Sequence, residues 1–242
     1  MKNDTAQVRM ATPEQMREIY TTLMQGVPAI SFEVATYALA HKREMITHVL
    51  KFFPNMDELT NPIKQWENFY FKVFGFNVDF SGIKIPERTE AEKIEFTRLI
   101  IVLKGLSLNN VYGAFQMHFK CWRYTDDLNQ AITKHEAHGV NSYAMWVRDT
   151  VEADEVHKNK SAEMVKEENL KTETVLERMI HELKYFWESG KHLDINNVTL
   201  CSGSRDFDGF VPGICWSDGG FKVDWYRIAD RSDRLRSREV IS

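Results

Sequence analysis

Two short motifs in this chain have the residue types and spacing for metal chemistry. His118-Phe119-Lys120-Cys121 and His135-Glu136-Ala137-His138 each place two zinc-ligating side chains three residues apart. On a helix, positions i and i+3 share a face, so each pair can converge on one ion. Together His118, Cys121, His135 and His138 would make a four-ligand zinc set of nitrogen and thiolate donors. Glu136 would then stand as a general base beside a metal-bound water. The His-Glu-x-x-His spacing of zinc peptidases is absent, however, and eight histidines in such a chain also produce close pairs by chance. Other catalytic patterns are missing. Ser202-Gly203-Ser204 lacks the Gly-x-Ser-x-Gly elbow of a nucleophile, and the sequence places no His–Asp arrangement beside it. The segment from Gly203 to Gly209 lacks the Lys-Ser/Thr and the following helix of a phosphate loop.

The other chemistry the residues offer is recognition. From Cys201 to Ser242 the chain is rich in Gly, Asp, Ser and aromatic residues in strand-and-turn order. Large rigid aromatics and small polar residues on loops suit an adaptable binding surface, although turns also select Gly, Asp and Ser for their own reasons. The candidate ligand-binding positions are Phe207, Asp208, Phe210, Ser217, Asp218, Asp224, Tyr226 and Asp230. Alternation over Phe221–Arg227 puts Phe221, Val223 and Trp225 on one face and Lys222, Asp224 and Tyr226 on the other. The basic cluster Arg231, Arg234, Arg236 and Arg238 is interleaved with Asp230, Asp233 and Glu239, which favours internal ion pairs over nucleic-acid contact.

The elements that must carry these residues can be read from caps and periodicity. Thr12-Pro13-Glu14-Gln15 starts a helix with a cap, a preset φ and a capping-box amide. Ser31 caps a second helix, with Val34, Tyr37, Ala38, His41, Met45, Val49 and Phe52 near one face and Pro54 ending it. Asn61-Pro62 starts a third, with Trp66, Phe69, Tyr70 and Val73 at helical spacing before Gly75. Phe76–Pro86 is a short strand or a packed loop. Thr89 opens a helix expected to run through Phe96, Leu99, Ile100 and Leu103 to Gly105. Ser107 caps the next, with Val111, Phe115, Met117 and Phe119 inward, and Thr125 precedes a short helix to about Lys134. Tyr143–Arg148 is strand-like, and the charged stretch 151–171 reads as an exposed helix or a linker. Thr174-Val175-Leu176-Glu177 is a capping box ahead of the clearest apolar stripe, Leu176, Met179, Ile180, Leu183, Phe186 and Trp187, with Gly190 as its stop. Strands follow at Asn197–Cys201, Phe210–Trp216, Phe221–Arg227 and Leu235–Ile241, with a hairpin at Ser217-Asp218-Gly219-Gly220 in which the two glycines can take positive φ.

These readings give an α+β fold: a helical N-terminal body and a small C-terminal antiparallel β-sheet packed on an amphipathic helix. The expected divisions are a helical domain at 1–140, a connecting segment at 141–173, and a helix plus β module at 174–242. A net charge of −4 offers no global field for nucleic acid. The N-terminal stretch has no apolar core, and the most apolar run, Leu99–Leu106, is too short to span a bilayer, so the expected setting is cytoplasmic without membrane insertion. Three cysteines do not make a disulfide framework.

Gly203-Ser204-Arg205, Trp216, Trp225 and the closing Leu235-Arg236-Ser237-Arg238 resemble the C-terminal end of a C-type-lectin-like domain. The kind in question is shared with formylglycine-generating enzymes and serves as the variable protein of diversity-generating retroelements. The resemblance covers the last quarter of the chain and implies a bacterial or phage protein with a diversified surface near its C-terminus. The calcium-site motif and paired cysteines of animal lectins are absent. The sequence therefore favours a non-enzymatic protein without a cofactor that recognises a protein or small ligand. A zinc-dependent hydrolase or zinc-stabilised scaffold, and a structural or assembly protein, are the alternatives.

Overall fold

The computed structural model describes residues 12–25, 31–45, 61–136 and 141–242. The chain divides into two units, Met1–Asn55 and Met56–Ser242. In the first, α1 (Pro13–Gln25) opens as its sequence directs: the Thr12 amide donates to Gln15 Oε1 at 2.9 Å and the Gln15 amide to Thr12 Oγ1 at 3.2 Å. Ser31 caps α2 (Phe32–Ala40), which ends at His41. The apolar side chains Val34 and Tyr37 of α2 are exposed rather than turned to a core, and Val49 and Phe52 lie outside the described residues.

The second unit carries the rest. Asn61 caps α3 (Pro62–Phe74), Pro62 takes its first position, and Gly75 closes it at φ 73°. Its buried face is aromatic, and the polar tips are satisfied. Trp66 Nε1 donates to Leu99 O at 3.2 Å, and Tyr70 OH donates to Ile101 O at 2.8 Å. The stretch 76–86 is a packed loop with Phe80 buried. The Thr89 capping box forms, but α4 spans only Glu90–Glu95, and Arg98–Val102 is strand β1 rather than more helix. The run Leu99-Ile100-Ile101-Val102 is buried along its length, and a continuous apolar run carries no period to separate strand from helix. Its β-branched residues favour the strand.

Ser107 caps α5 (Leu108–Gln116), which buries Val111 and Phe115 but leaves Met117 exposed. Strand β2 (Lys120–Arg123) follows. The short helix after Thr125 is α6 (Leu128–Ala131), and the chain then extends as β3 (Ile132–His135). β4 (Tyr143–Val147) pairs antiparallel with β1. The charged stretch folds as a 3-10 turn, Glu155–His157, and α7 (Ala162–Glu167). Helix α8 (Val175–Ser189) has the expected capping box and a left-handed Gly190 stop.

The C-terminal sheet has five strands in the order β2-β8-β7-β5-β9, with β5 Val198–Leu200, β7 Val211–Ser217, β8 Gly220–Tyr226 and β9 Leu235–Arg236. Its central pairings are antiparallel, while both outer pairings, β2 with β8 and β5 with β9, are parallel. β6 (Ser204–Asp206) pairs with β3. The fold is α+β with a C-terminal sheet, and strand pairing crosses both expected divisions: β2 joins residues 120–123 to the sheet, and β4 joins 143–147 to β1. The final strand is shorter than read. After Arg236 the chain leaves the sheet and makes single bridges from Glu239 to Thr172 and from Ile241 to Trp146.

The main core covers one face of the sheet, and a smaller cluster covers the other over β5, β7 and β9. Ile214, Phe221 and Val223 enter the main core with Met179, Ile180 and Leu183 of α8. On the other face Val198, Leu200, Val211 and Leu235 pack with Ala162 of α7 and with Tyr226. Helix α8 therefore lies between layers, and even Glu177, Arg178, His181, Glu182 and Lys184 on its polar side are buried. Among the described residues no helix is long and apolar enough to cross a membrane.

Candidate functional site: a cleft at the hairpin end of the sheet

The turn joining β7 to β8 has Asp218 at φ 52° and Gly219 at φ 70°. These are the two central positions of a tight hairpin, so an Asp-Gly pair supplies the positive φ values and Gly220 belongs to the strand. Gly220 has another role. A Cβ there would stand 2.9 Å from Lys120 O, so only glycine lets the edge strand β2 dock against β8. The docking register sets Trp122 beside Lys222 and Lys120 beside Gly220.

These residues enclose a cleft of about 450 Å³. Lys120, Trp122, Ser217, Asp218, Lys222 and Asp224 supply its chemistry, and the Phe221 backbone lies beneath. The Phe221 ring stacks on Phe115 at 4.0 Å, which fixes the floor to the core. Trp122 is 48% exposed, a large indole held open on a rigid strand. Lys222 pairs with Asp218, and that contact holds the Asp218 carboxyl below its ordinary range. The cleft thus combines an apolar wall, two ammonium groups, two carboxylates and a hydroxyl, with nothing arranged as an acid–base pair about a nucleophile.

Three expected ligand-binding residues, Ser217, Asp218 and Asp224, come together here, and Cys121 of the expected zinc set also lines the cleft. The other ligand-binding positions lie elsewhere. Phe207 and Asp208 are exposed on the turn after β6, which folds around Asp206: its Oδ1 accepts from the amides of Asp208 at 3.0 Å and Phe210 at 2.8 Å. Phe210 packs on Trp225, ring centroids 4.6 Å apart. Asp230 accepts from the Arg227 amide at 2.8 Å and closes a turn. Tyr226 is not an open surface group. Its ring lies over Gly213, where any Cβ would overlap it, and burial pushes its hydroxyl up to about 12. Trp225, on the strand face of Phe221 and Val223, is 44% exposed, because it lies at the strand's end, beyond the core. Lys120 and Trp122 escaped sequence reading, since four residues of a parallel edge strand carry no local pairing signal.

The expected zinc residues do not assemble among the described residues. His118 is exposed at the end of α5 beside Phe119 and Phe186, Cys121 donates to Phe119 O at 3.3 Å, and His135 ends β3. Burial pushes the Cys121 thiol up to about 11. His138 lies outside the described residues. One pairing was not foreseen: His135 Nδ1 stands 3.3 Å from Ser204 Oγ. Ser204 is fully buried and its Oγ accepts from the Val175 amide, so it presents no face to a substrate. All three cysteines are free. No family model, curated protein or solved structure matches the chain.

Proposed function

We propose that this chain is a non-enzymatic binding protein that engages a partner protein or small ligand through the β2–β8 cleft. The observation that carries this reading is the exposed Trp122 held on a rigid edge strand beside Lys222, Asp218 and Asp224. An indole next to charged and hydroxyl groups is the composition of an interaction hot spot. The resemblance to retroelement variable proteins adds a proposal, that the rim positions Ser217, Asp218 and Asp224 differ between gene copies. A locus without a reverse transcriptase and without a near-repeat of the 3′ end removes that addition and leaves the cleft.

The cleft itself is tested by Trp122→Ala combined with Asp224→Lys in the full chain. The melting temperature should hold within a few degrees, since neither side chain is buried. Binding to partners captured from the source cells should weaken about 30-fold, which corresponds to a hot-spot loss of about 2 kcal/mol. Unchanged binding by a folded double variant defeats the assignment.

A further inference from the structure

Away from the cleft, three ligand-type side chains converge where the C-terminal segment meets the 3-10 turn. Asp154 precedes that turn, His157 ends it, and Glu239 arrives from the far end of the chain. One ligand atom from each lies within 4.8 Å of the others. Asp154 is 3% exposed and His157 4%. Such burial normally demands hydrogen-bond partners for every polar atom. Here it does not supply them: Asp154 Oδ1 and both ring nitrogens of His157 are unpartnered. His157 Nε2 stands 3.4 Å from Glu239 Oε2, an ion-pair contact that helps hold the Glu239 carboxyl below its ordinary range but lacks hydrogen-bond geometry.

That separation has a second meaning. Two ligands of one tetrahedral ion, each bound at ~2.1 Å, lie ~3.4 Å apart. The surrounding charges agree. Arg148 reaches Asp154 Oδ2 at 2.7 Å, Glu239 Oε2 at 3.0 Å and Glu95 Oε2 at 2.9 Å, so one guanidinium serves three carboxylates. The other cations nearby are engaged elsewhere: Arg238 by Asp194, Arg236 by Glu155, and Lys158 by Glu155 and Asp233. The site keeps an excess of negative charge that a divalent cation would balance. Arg148 and the Glu239 amide, which donates to Asp154 Oδ2 at 2.8 Å, hold one oxygen of Asp154 and leave Oδ1 buried without a partner. Hydrogen bonds of this kind orient metal ligands from behind.

We propose that Asp154, His157 and Glu239 bind one divalent transition-metal ion of the zinc class. One imidazole and two carboxylates form a mixed nitrogen–oxygen set suited to zinc, with a fourth position left to water. The ion would pin the C-terminal segment to the 154–157 turn, and the proposal does not depend on the cleft.

The test uses the full chain after chelator treatment and dialysis, with zinc chloride as the probe. Calorimetric titration should give one ion per chain, and zinc should raise the melting temperature by several degrees. Glu239→Gln and, separately, His157→Leu should weaken binding at least 100-fold and abolish the thermal shift, whereas His135→Ala should retain both. His157→Leu removes nitrogens that no hydrogen bond holds, their one polar contact being the 3.4 Å approach to Glu239, so without metal it should melt within a few degrees of the wild-type temperature. Should that variant misfold, Glu239→Gln, which is partly exposed, carries the same decision. No zinc uptake, or uptake that survives Glu239→Gln with unchanged affinity, overturns the site and leaves a bridging water as the partner of these groups.

Discussion

Asp194 is fully buried, yet it is ionised: burial alone would raise its carboxyl, but Arg238 and Arg178 beside it hold it below the ordinary value. Arg178 reaches Oδ2 at 2.7 Å and Arg238 reaches Oδ1 at 2.8 Å. The same arginines act against His181, one turn along α8 from Arg178. Burial first, then the charges of Arg238 and Arg178, hold its imidazole well below the ordinary 6.5. His181 is therefore neutral in the folded protein, with Nδ1 2.9 Å from Glu173 Oε1. The unfolded chain takes up this proton as pH falls through about 6.5, and the folded chain does not, so stability should decline on acidification below that point. One proton accounts for at most ~1.4 kcal/mol per pH unit. Urea unfolding at pH 7.5 and 5.5 measures it, and His181→Gln should show a smaller loss between the two. An equal loss in the variant would place the acid sensitivity elsewhere.

At the scale of elements, the parts legible in the sequence are those whose cause is local. The Thr89 and Thr174 capping boxes, the Asn61-Pro62 start and the Gly75 and Gly190 stops all form where the side chains indicate. Elements set by distant partners were not legible. β1 is a strand because β4 lies beside it, and Lys120–Arg123 is a strand because β8 offers an edge. The cleft inherits this limit: Ser217, Asp218 and Asp224 belong to a readable hairpin, but Trp122 joins them only through parallel pairing. Gly220 is the hinge of that pairing, which makes Gly220→Ala a test of the element. The added Cβ would press on backbone rather than on a side chain that can turn away. We expect a cost of about 1–3 kcal/mol, as for overpacking in a core. Amide exchange at 120–123 should accelerate while α8 stays protected. Unchanged exchange at those amides would mean that the edge strand tolerates the methyl.

For the second unit as a whole, chain order and spatial order diverge, and the last six residues connect what the sequence separates. Arg238 supplies half of the counter-charge to Asp194, and its guanidinium also donates to Thr150 O at 3.0 Å and Val151 O at 2.8 Å. The Glu173 amide donates to Arg238 O at 2.9 Å, Val240 is buried, and Ile241 bridges Trp146 on β4. One short segment thus joins the start of α8, the loop after β4 and the edge of the β1–β4 pair. Its removal would leave Asp194 with an unmatched geometry, open the main core at Val240 and strip the outer edge of β4. Breaking one side of a buried ion pair costs about 3–5 kcal/mol by itself, a large share of the 5–15 kcal/mol that holds a typical domain. Deletion of residues 237–242 should therefore abolish cooperative thermal unfolding and the near-ultraviolet circular dichroism of the buried Trp66 and Tyr70. Arg238→Lys, which keeps the charge but loses the fork, should fold with a melting temperature lowered by several degrees. A truncated chain that melts cooperatively near the wild-type temperature would show that the terminal segment decorates this fold without closing it.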